Sequence, residues 1–233
     1  MTSEEKNQNN IISSELILDN SKYIFSDKPI NRFKTKPKVE NISIKLDELR
    51  NEIENIDNCE LKKNASKIVF NDGDYEGKIM IVGEGPGQKE DETGKPFVGD
   101  AGLLLNKMLK SINIERKNVY ITNVVNYRPP NNRKPEPAEI TKYSNFLRRH
   151  ISVIDPKILI LMGSIAMESL FGTKIKISKE RGTWKEVIIN NKTYLTMITF
   201  HPAYLLRQAD QKKYSWSDLK EIKIKIDKLG LKI

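Results

Sequence analysis

A chain of 233 residues, 38% of them apolar, is long enough for one domain with extensions and a buried core. Its net charge of +9 is uneven: residues 1–60 hold 9 basic and 12 acidic side chains, and the remaining 31 basic and 19 acidic ones give the rest an excess of +12. That basic part favours a polyanionic partner, while the single cysteine, Cys59, excludes an intrachain disulfide or a cysteine-built metal cage and fits a reducing compartment, the cytoplasm.

Residues 1–42 read as a flexible leader, rich in Asn, Ser and Lys, in which Ile11, Ile12, Leu16 and Ile17 carry the spacing of a short helix. With Glu4 and Glu5 the N-terminus does not read as a signal peptide, and no apolar run reaches bilayer length, so no membrane contact is expected. Residues 43–233 read as the folded domain. Ser43 is a candidate N-cap for a helix with Leu46, Leu49, Ile53 and Ile56 on one face. A strand over Ile79–Val82 leads into the turn Gly83-Glu84-Gly85-Pro86-Gly87, and a helix follows near Ala101–Ile112. Next come a strand over Val119–Val125, a Pro-rich loop, a helix near Pro137–Ile151, a strand over Ile158–Met162 and a helix from Gly163 through Leu170. Trp184–Ile189 and Thr193–Thr199 flank Asn190-Asn191 as a hairpin, and an amphipathic helix from about Ser215 closes the chain. Strands alternating with helices predict an α/β fold, a three-layer α/β/α sandwich on a mostly parallel central sheet. Ligands of such sheets sit beyond the carboxyl ends of the strands, where Gly83, Asn123, Gly163 and His201 fall.

The glycine turn is not a nucleotide-phosphate loop, because no Gly-Lys-Ser/Thr follows, and Pro86 and Gln88 break the dinucleotide spacing. It leaves exposed amides and the Glu84 carboxylate facing the strand ends. Phe97 lies in a loop, Gly94-Lys95-Pro96-Phe97-Val98-Gly99, whose edges are too polar for core. Asn123 interrupts an apolar strand, and a buried carboxamide is costly unless paired. Of the two histidines, His150 follows Arg148-Arg149 and reads as a surface residue, whereas His201 opens His201-Pro202-Ala203-Tyr204-Leu205-Leu206-Arg207. Arg128, Arg133 and Lys134 stand among prolines in a stiff basic loop suited to phosphates.

In this order, and with Ile121-Thr122-Asn123 and Arg128-Pro129-Pro130-Asn131-Asn132-Arg133 between them, these segments resemble the family 4 uracil-DNA glycosylases over about Leu46 to Leu229. The resemblance implies a base-excision DNA-repair hydrolase that extrudes deoxyuridine, hydrolyses its N-glycosidic bond and leaves an abasic site. In that reading Gly83, Glu84, Gly85 and Pro86 cradle uracil and Glu84 positions water. Phe97 stacks on the base, Asn123 selects it, and His201 stabilises charge on uracil O2. Arg128, Arg133, Lys134, Tyr204, Leu205, Leu206 and Arg207 meet DNA, with a leucine as the wedge. The implied substrate is uracil-containing DNA, single- or double-stranded, and the expected state is a monomer. The alternative is a non-catalytic DNA- or uracil-binding module on the same fold, a reading that the retention of Glu84, Asn123 and His201 together disfavours.

The family also implies a four-iron cluster on four cysteines. Its positions here are Ile56, Cys59, Tyr127 and Tyr143, and one thiol cannot hold such a cluster, so no cofactor is expected. The expectation instead is that Tyr127 and Tyr143 pack with Ile56 in the vacated volume.

Overall fold

A computed structural model describes residues 38–172 and 176–233; the leader segment with Ile11 to Ile17 lies outside the described residues. Six strands form one sheet: β1 (Asp72–Gly73), β2 (Ile79–Gly83), β3 (Tyr120–Asn123), β4 (Ile158–Met162), β5 (Trp184–Ile189) and β6 (Lys192–Thr199), in the order β1-β3-β2-β4-β6-β5. The four central strands are parallel, and β1 and β5 add antiparallel edges. Strands covered on both faces need apolar residues at every position, and β2 and β4 are buried from end to end.

The helices are α1 (Lys38–Glu54), α2 (Glu60–Asn64), α3 (Gln88–Thr93), α4 (Asp100–Lys110), α5 (Pro137–Ile154), α6 (Ser164–Phe171), α7 (Ile177–Glu180), α8 (Pro202–Arg207) and α9 (Lys212–Lys228). Two apolar cores show how they divide between the faces. Met80, Val82, Leu159 and Leu161 point into one with Leu49, Ile53, Leu147 and Ile151 of α1 and α5. Ile79, Ile81, Ile158 and Ile160 point into the other with Leu105, Leu109, Ile222 and Ile226 of α4 and α9. The three-layer α/β/α sandwich follows from this alternation, because neighbouring strand residues face opposite sides. Among the described residues no helix is long and apolar enough to cross a membrane.

The β5–β6 hairpin turns at Asn190 and Asn191, with φ of 49° and 60°, the left-handed pair that a two-residue type I′ turn requires. The helix expected to begin at Ser43 is already under way at Lys38, the first described residue, so Ser43 lies inside it and is not its N-cap, and the last helix begins at Lys212 rather than Ser215. His150 is a larger correction. It is 2% exposed, stacks on Phe70 with ring centroids 4.6 Å apart, and its Nε2 lies 2.5 Å from the Tyr120 hydroxyl. Residues adjacent on a helix point about 100° apart, so Arg148 and Arg149 do not report on position 150. That residue instead shares the stripe of Tyr143, Leu147, Ile151 and Ile154.

Register aligns the strand ends. Gly83 pairs with Asn123, and Met162 with Thr199. The chain leaves β2 toward β3 on one side and leaves β4 toward the β5–β6 hairpin on the other, so a crevice opens between β2 and β4 where the connections diverge.

Candidate active site

A cavity of about 710 Å³ occupies that crevice. Glu84, Phe97, Asn123 and His201 all line it: Glu84 follows β2, Asn123 closes β3, His201 follows β6 after Phe200, and Phe97 lies in the loop between α3 and α4.

The glycine turn is laced to the chain beyond β3: Val124 donates to the Gly83 carbonyl at 3.0 Å and Val125 to the Glu84 carbonyl at 3.2 Å. Gly83 is required by close approach, since a Cβ there would lie 2.5 Å from both the Phe97 ring and Asn123 Oδ1. Glu84 is half-buried. Loss of water raises its carboxyl above the ordinary range, Lys134 and Arg207 pull it back down, and Glu168 adds to the rise.

Phe97 is 5% exposed and belongs to the core shared by α4 and α9, contrary to the expectation from its polar loop. The explanation is local. Its backbone sits at φ 54°, a left-handed conformation that costs a bulky residue on the order of 1–3 kcal/mol and that turns the ring inward from a polar loop. One face of the ring meets His201, with centroids 5.4 Å apart and planes 29° from parallel.

Asn123 closes β3, 3% exposed, at the floor of the cavity. No protein group among the described residues bonds its carboxamide, so its donor and acceptor are both open to a ligand.

His201 is the N-cap of α8. Pro202 at the first helical position has no N–H to satisfy, and the His201 Nδ1 accepts the N–H of Ala203 at 3.1 Å. Burial, seconded by the nearby Arg207 charge, lowers its pKa to about 4. The ring is therefore neutral near pH 7, and with Nδ1 occupied as an acceptor the proton resides on Nε2. Underneath, Asp218 of α9 accepts from the Thr199 hydroxyl at 2.7 Å and pairs with Arg181, fixing the end of β6.

The residues expected at DNA divide. Lys134, Tyr204 and Arg207 line the cavity mouth. Arg133 lines it too, but its guanidinium is engaged by Glu139 through bonds of 2.8 and 2.7 Å. Arg128 bonds Asn132 at 2.8 Å and is not part of the wall. Leu205 is 1% exposed and packs into the core, whereas Leu206, about 100° further round the short helix, is 47% exposed.

At the positions where the resemblance places a cluster, Cys59, Tyr127 and Tyr143 are all buried and Ile56 packs against the same core. The Cys59 Sγ lies 3.3 Å from the Tyr143 hydroxyl, and burial pushes the Tyr127 phenol up to about 12. One thiol hydrogen-bonded to a phenol, a second neutral phenol and an aliphatic chain are not a donor set for iron and sulfide. Among the described residues no group of three or more His, Cys, Asp or Glu side chains is placed to hold a metal.

Two residues that hold the site were missed in the sequence. Glu90 accepts the N–H groups of Val98 and Gly99 at 2.8 Å each and that of Gly87 at 3.1 Å. Arg116 donates to the carbonyls of Pro96 at 2.6 Å and Phe97 at 2.8 Å. The spacing Gly87-x-x-Glu90 lets Glu90 reach back to the Gly87 N–H as the acidic half of a capping box does, and was a readable signal for the first. Arg116 has no such signal, being distant in sequence from the loop it binds.

The sequence pattern described as the uracil DNA glycosylase superfamily matches residues 70–220, and the chain belongs to that superfamily. Within it, the chain is 39% identical over 175 residues to a type-4 uracil-DNA glycosylase of Thermotoga maritima, covering 74% of this chain and 90% of the relative. It is 38% identical over 181 residues to the type-4 enzyme of Archaeoglobus fulgidus, covering 76% and 91%. It is 39% identical over 186 residues to that of Sulfurisphaera tokodaii, covering 76% and 83%.

Proposed function

We propose that this chain is a uracil-DNA glycosylase of the type-4 kind, which hydrolyses the N-glycosidic bond of deoxyuridine in DNA. The observation that carries the reading is the neutral His201 imidazole, its Nδ1 occupied by the Ala203 amide, in one cavity with Glu84 and Asn123.

In this reading deoxyuridine is swung out of the strand into the cavity and its base lies against Phe97, a contact worth ~1–3 kcal/mol. The open Asn123 carboxamide donates to uracil O4 and accepts from N3–H. With the carboxamide held in that orientation on the bound base, cytosine presents the reverse pattern, donor to donor and acceptor to acceptor, which is how such a site rejects it. As the C1′–N1 bond breaks, its electron pair moves into the uracil ring and the sugar becomes cationic. The His201 Nε2–H then donates to O2, a bond stronger in the transition state than before it. Water held by the Glu84 carboxylate adds to C1′ and releases a proton, and the uracil anion takes up a proton in turn, so the sum is one water consumed. The products are free uracil and an abasic site.

Lys134 and Arg207 line the cavity and suit phosphates, and Leu206, exposed on α8 next to Arg207, suits the gap left by the extruded base. One chain supplies every group, so a monomer suffices on single- or double-stranded DNA, and the lone thiol fits work in the cytoplasm. No cluster is part of the proposal, because the donor set at Ile56, Cys59, Tyr127 and Tyr143 does not suit one. The test is incubation with matched oligonucleotides bearing uracil or thymine at one position, followed by alkaline cleavage. Strand breaks confined to the uracil position support the reading, and intact uracil strands that are nevertheless bound would replace it with a binding module.

A further inference from the structure

Phe97 combines two features that rarely coincide: a bulky side chain and a left-handed backbone. Such a conformation persists only where the surroundings over-determine it, and here they do so from both sides of the residue. Before it, Arg116 Nη2 reaches the Pro96 carbonyl at 2.6 Å, and Nη1 reaches the Phe97 carbonyl at 2.8 Å. The rest of that guanidinium is fixed in turn, Nε by Asp72 at 2.8 Å and Nη1 by Asn106 at 3.2 Å. After it, Glu90 Oε1 takes the N–H groups of both Val98 and Gly99. Gly102 lets α4 close on the same turn, since a Cβ there would fall 1.8 Å from the Phe97 carbonyl oxygen.

The Glu90 carboxylate does a second thing. Its other oxygen holds the N–H of Gly87, the last residue of the turn that carries Glu84. One side chain thus ties the loop of the stacking ring to the loop of the water-holding carboxylate. Gln cannot replace it, because its NH2 would meet either the Gly87 N–H or the Val98 and Gly99 N–H pair, donor against donor. Lys cannot replace Arg116, because a single ammonium does not reproduce the planar fork that grips two carbonyls while bonded to Asp72.

We propose that Arg116 and Glu90 are positioning residues for base excision, holding Phe97 in its left-handed turn so that its ring and the Glu84 loop are set before a base arrives. The proposal rests on the reading of Phe97 as the surface against which uracil stacks. Both residues act through the loop and neither touches the reacting atoms.

A double-mutant cycle in full-length protein tests it. Single-turnover uracil release is compared for wild type, Arg116→Lys, Phe97→Ala and the double variant, with binding to uracil-free DNA measured alongside. Arg116→Lys should slow release on the order of 10- to 100-fold, as misplacement of a site by a fraction of an ångström to an ångström does, with binding to uracil-free DNA unchanged. In the Phe97→Ala background the same substitution should cost little more, since the group it positions is gone. Glu90→Gln should slow release in both backgrounds, but less where Phe97 is absent, and it carries the test if Arg116→Lys does not fold. A wild-type rate in the single variants, or an equal factor in both backgrounds, overturns the proposal. A wild-type protein that releases no uracil at all would instead count against the underlying function.

Discussion

The Nδ1 of His201 accepts the backbone N–H of Ala203 at 3.1 Å, within the same helix cap. This bond fixes which nitrogen carries the proton, and burial keeps the ring from gaining a second one until pH falls to about 4. A cationic imidazole would be repelled by Arg207 and would lose the Ala203 bond, so the neutral donor is the state the fold selects.

His201→Ala should therefore slow base release on the order of 10²–10³-fold, the usual cost of losing a donor to developing charge. Binding to uracil-free DNA should change little, because the bond strengthens only as charge builds on O2. Equal losses in rate and binding would reduce His201 to a helix cap.

Stability should depend on pH through the two histidines. His201 is lowered to about 4 and His150 to about 3, both mainly by burial. The unfolded chain takes up protons below about 6.5 and the folded chain does not, so their contribution is full above that pH and shrinks as pH falls toward the folded values. The raised carboxyls of Glu84 and Asp218 act in the opposite sense, favouring the folded chain as pH falls through their raised values. Urea denaturation at about pH 7 and about pH 5.5 should show a loss for wild type and a smaller one for His150→Phe. Parallel losses in the two proteins would mean that His150 is protonated when folded.

DNA affinity should fall steeply with salt, and Arg207→Ala and Lys134→Ala should each flatten the slope by about one phosphate. Arg133→Ala should flatten it less, because Glu139 already engages that guanidinium from two sides. A full phosphate's worth at Arg133 would show that DNA draws it away from Glu139.

The chain should purify without iron. Tyr127→Ala should cost ~3 kcal/mol or more, as large-to-small changes in a core do. Cys59→Ser, which keeps a hydroxyl near Tyr143, should leave activity intact. A brown protein with stoichiometric iron would contradict this view of the four positions.

Much of this was legible along the chain. Unbroken apolar runs marked β2 and β4, and Asn190-Asn191 marked a turn whose positive φ values are there. Glu84, Asn123 and His201 were readable because each stands at or just past the end of a strand, and parallel strands bring their ends together. What was not legible depends on contacts distant in sequence. The inward turn of Phe97 is imposed by Arg116 and Glu90, and its polar neighbours argued the other way. His150 was misread from its neighbours Arg148 and Arg149, although helical spacing from Leu147 and Ile154 pointed inward. Leu205 and Leu206 separate only once their segment is known to be a helix.

The central claim is that this cavity breaks the bond between uracil and deoxyribose with its own side chains and a water. Free uracil should be quantified from a uracil-containing oligonucleotide over many turnovers, in the presence of a metal chelator, against the count of abasic sites. The account predicts one free uracil per abasic site, at a rate the chelator leaves unchanged. Bound oligonucleotide with no free uracil, from either single- or double-stranded substrate, would contradict it.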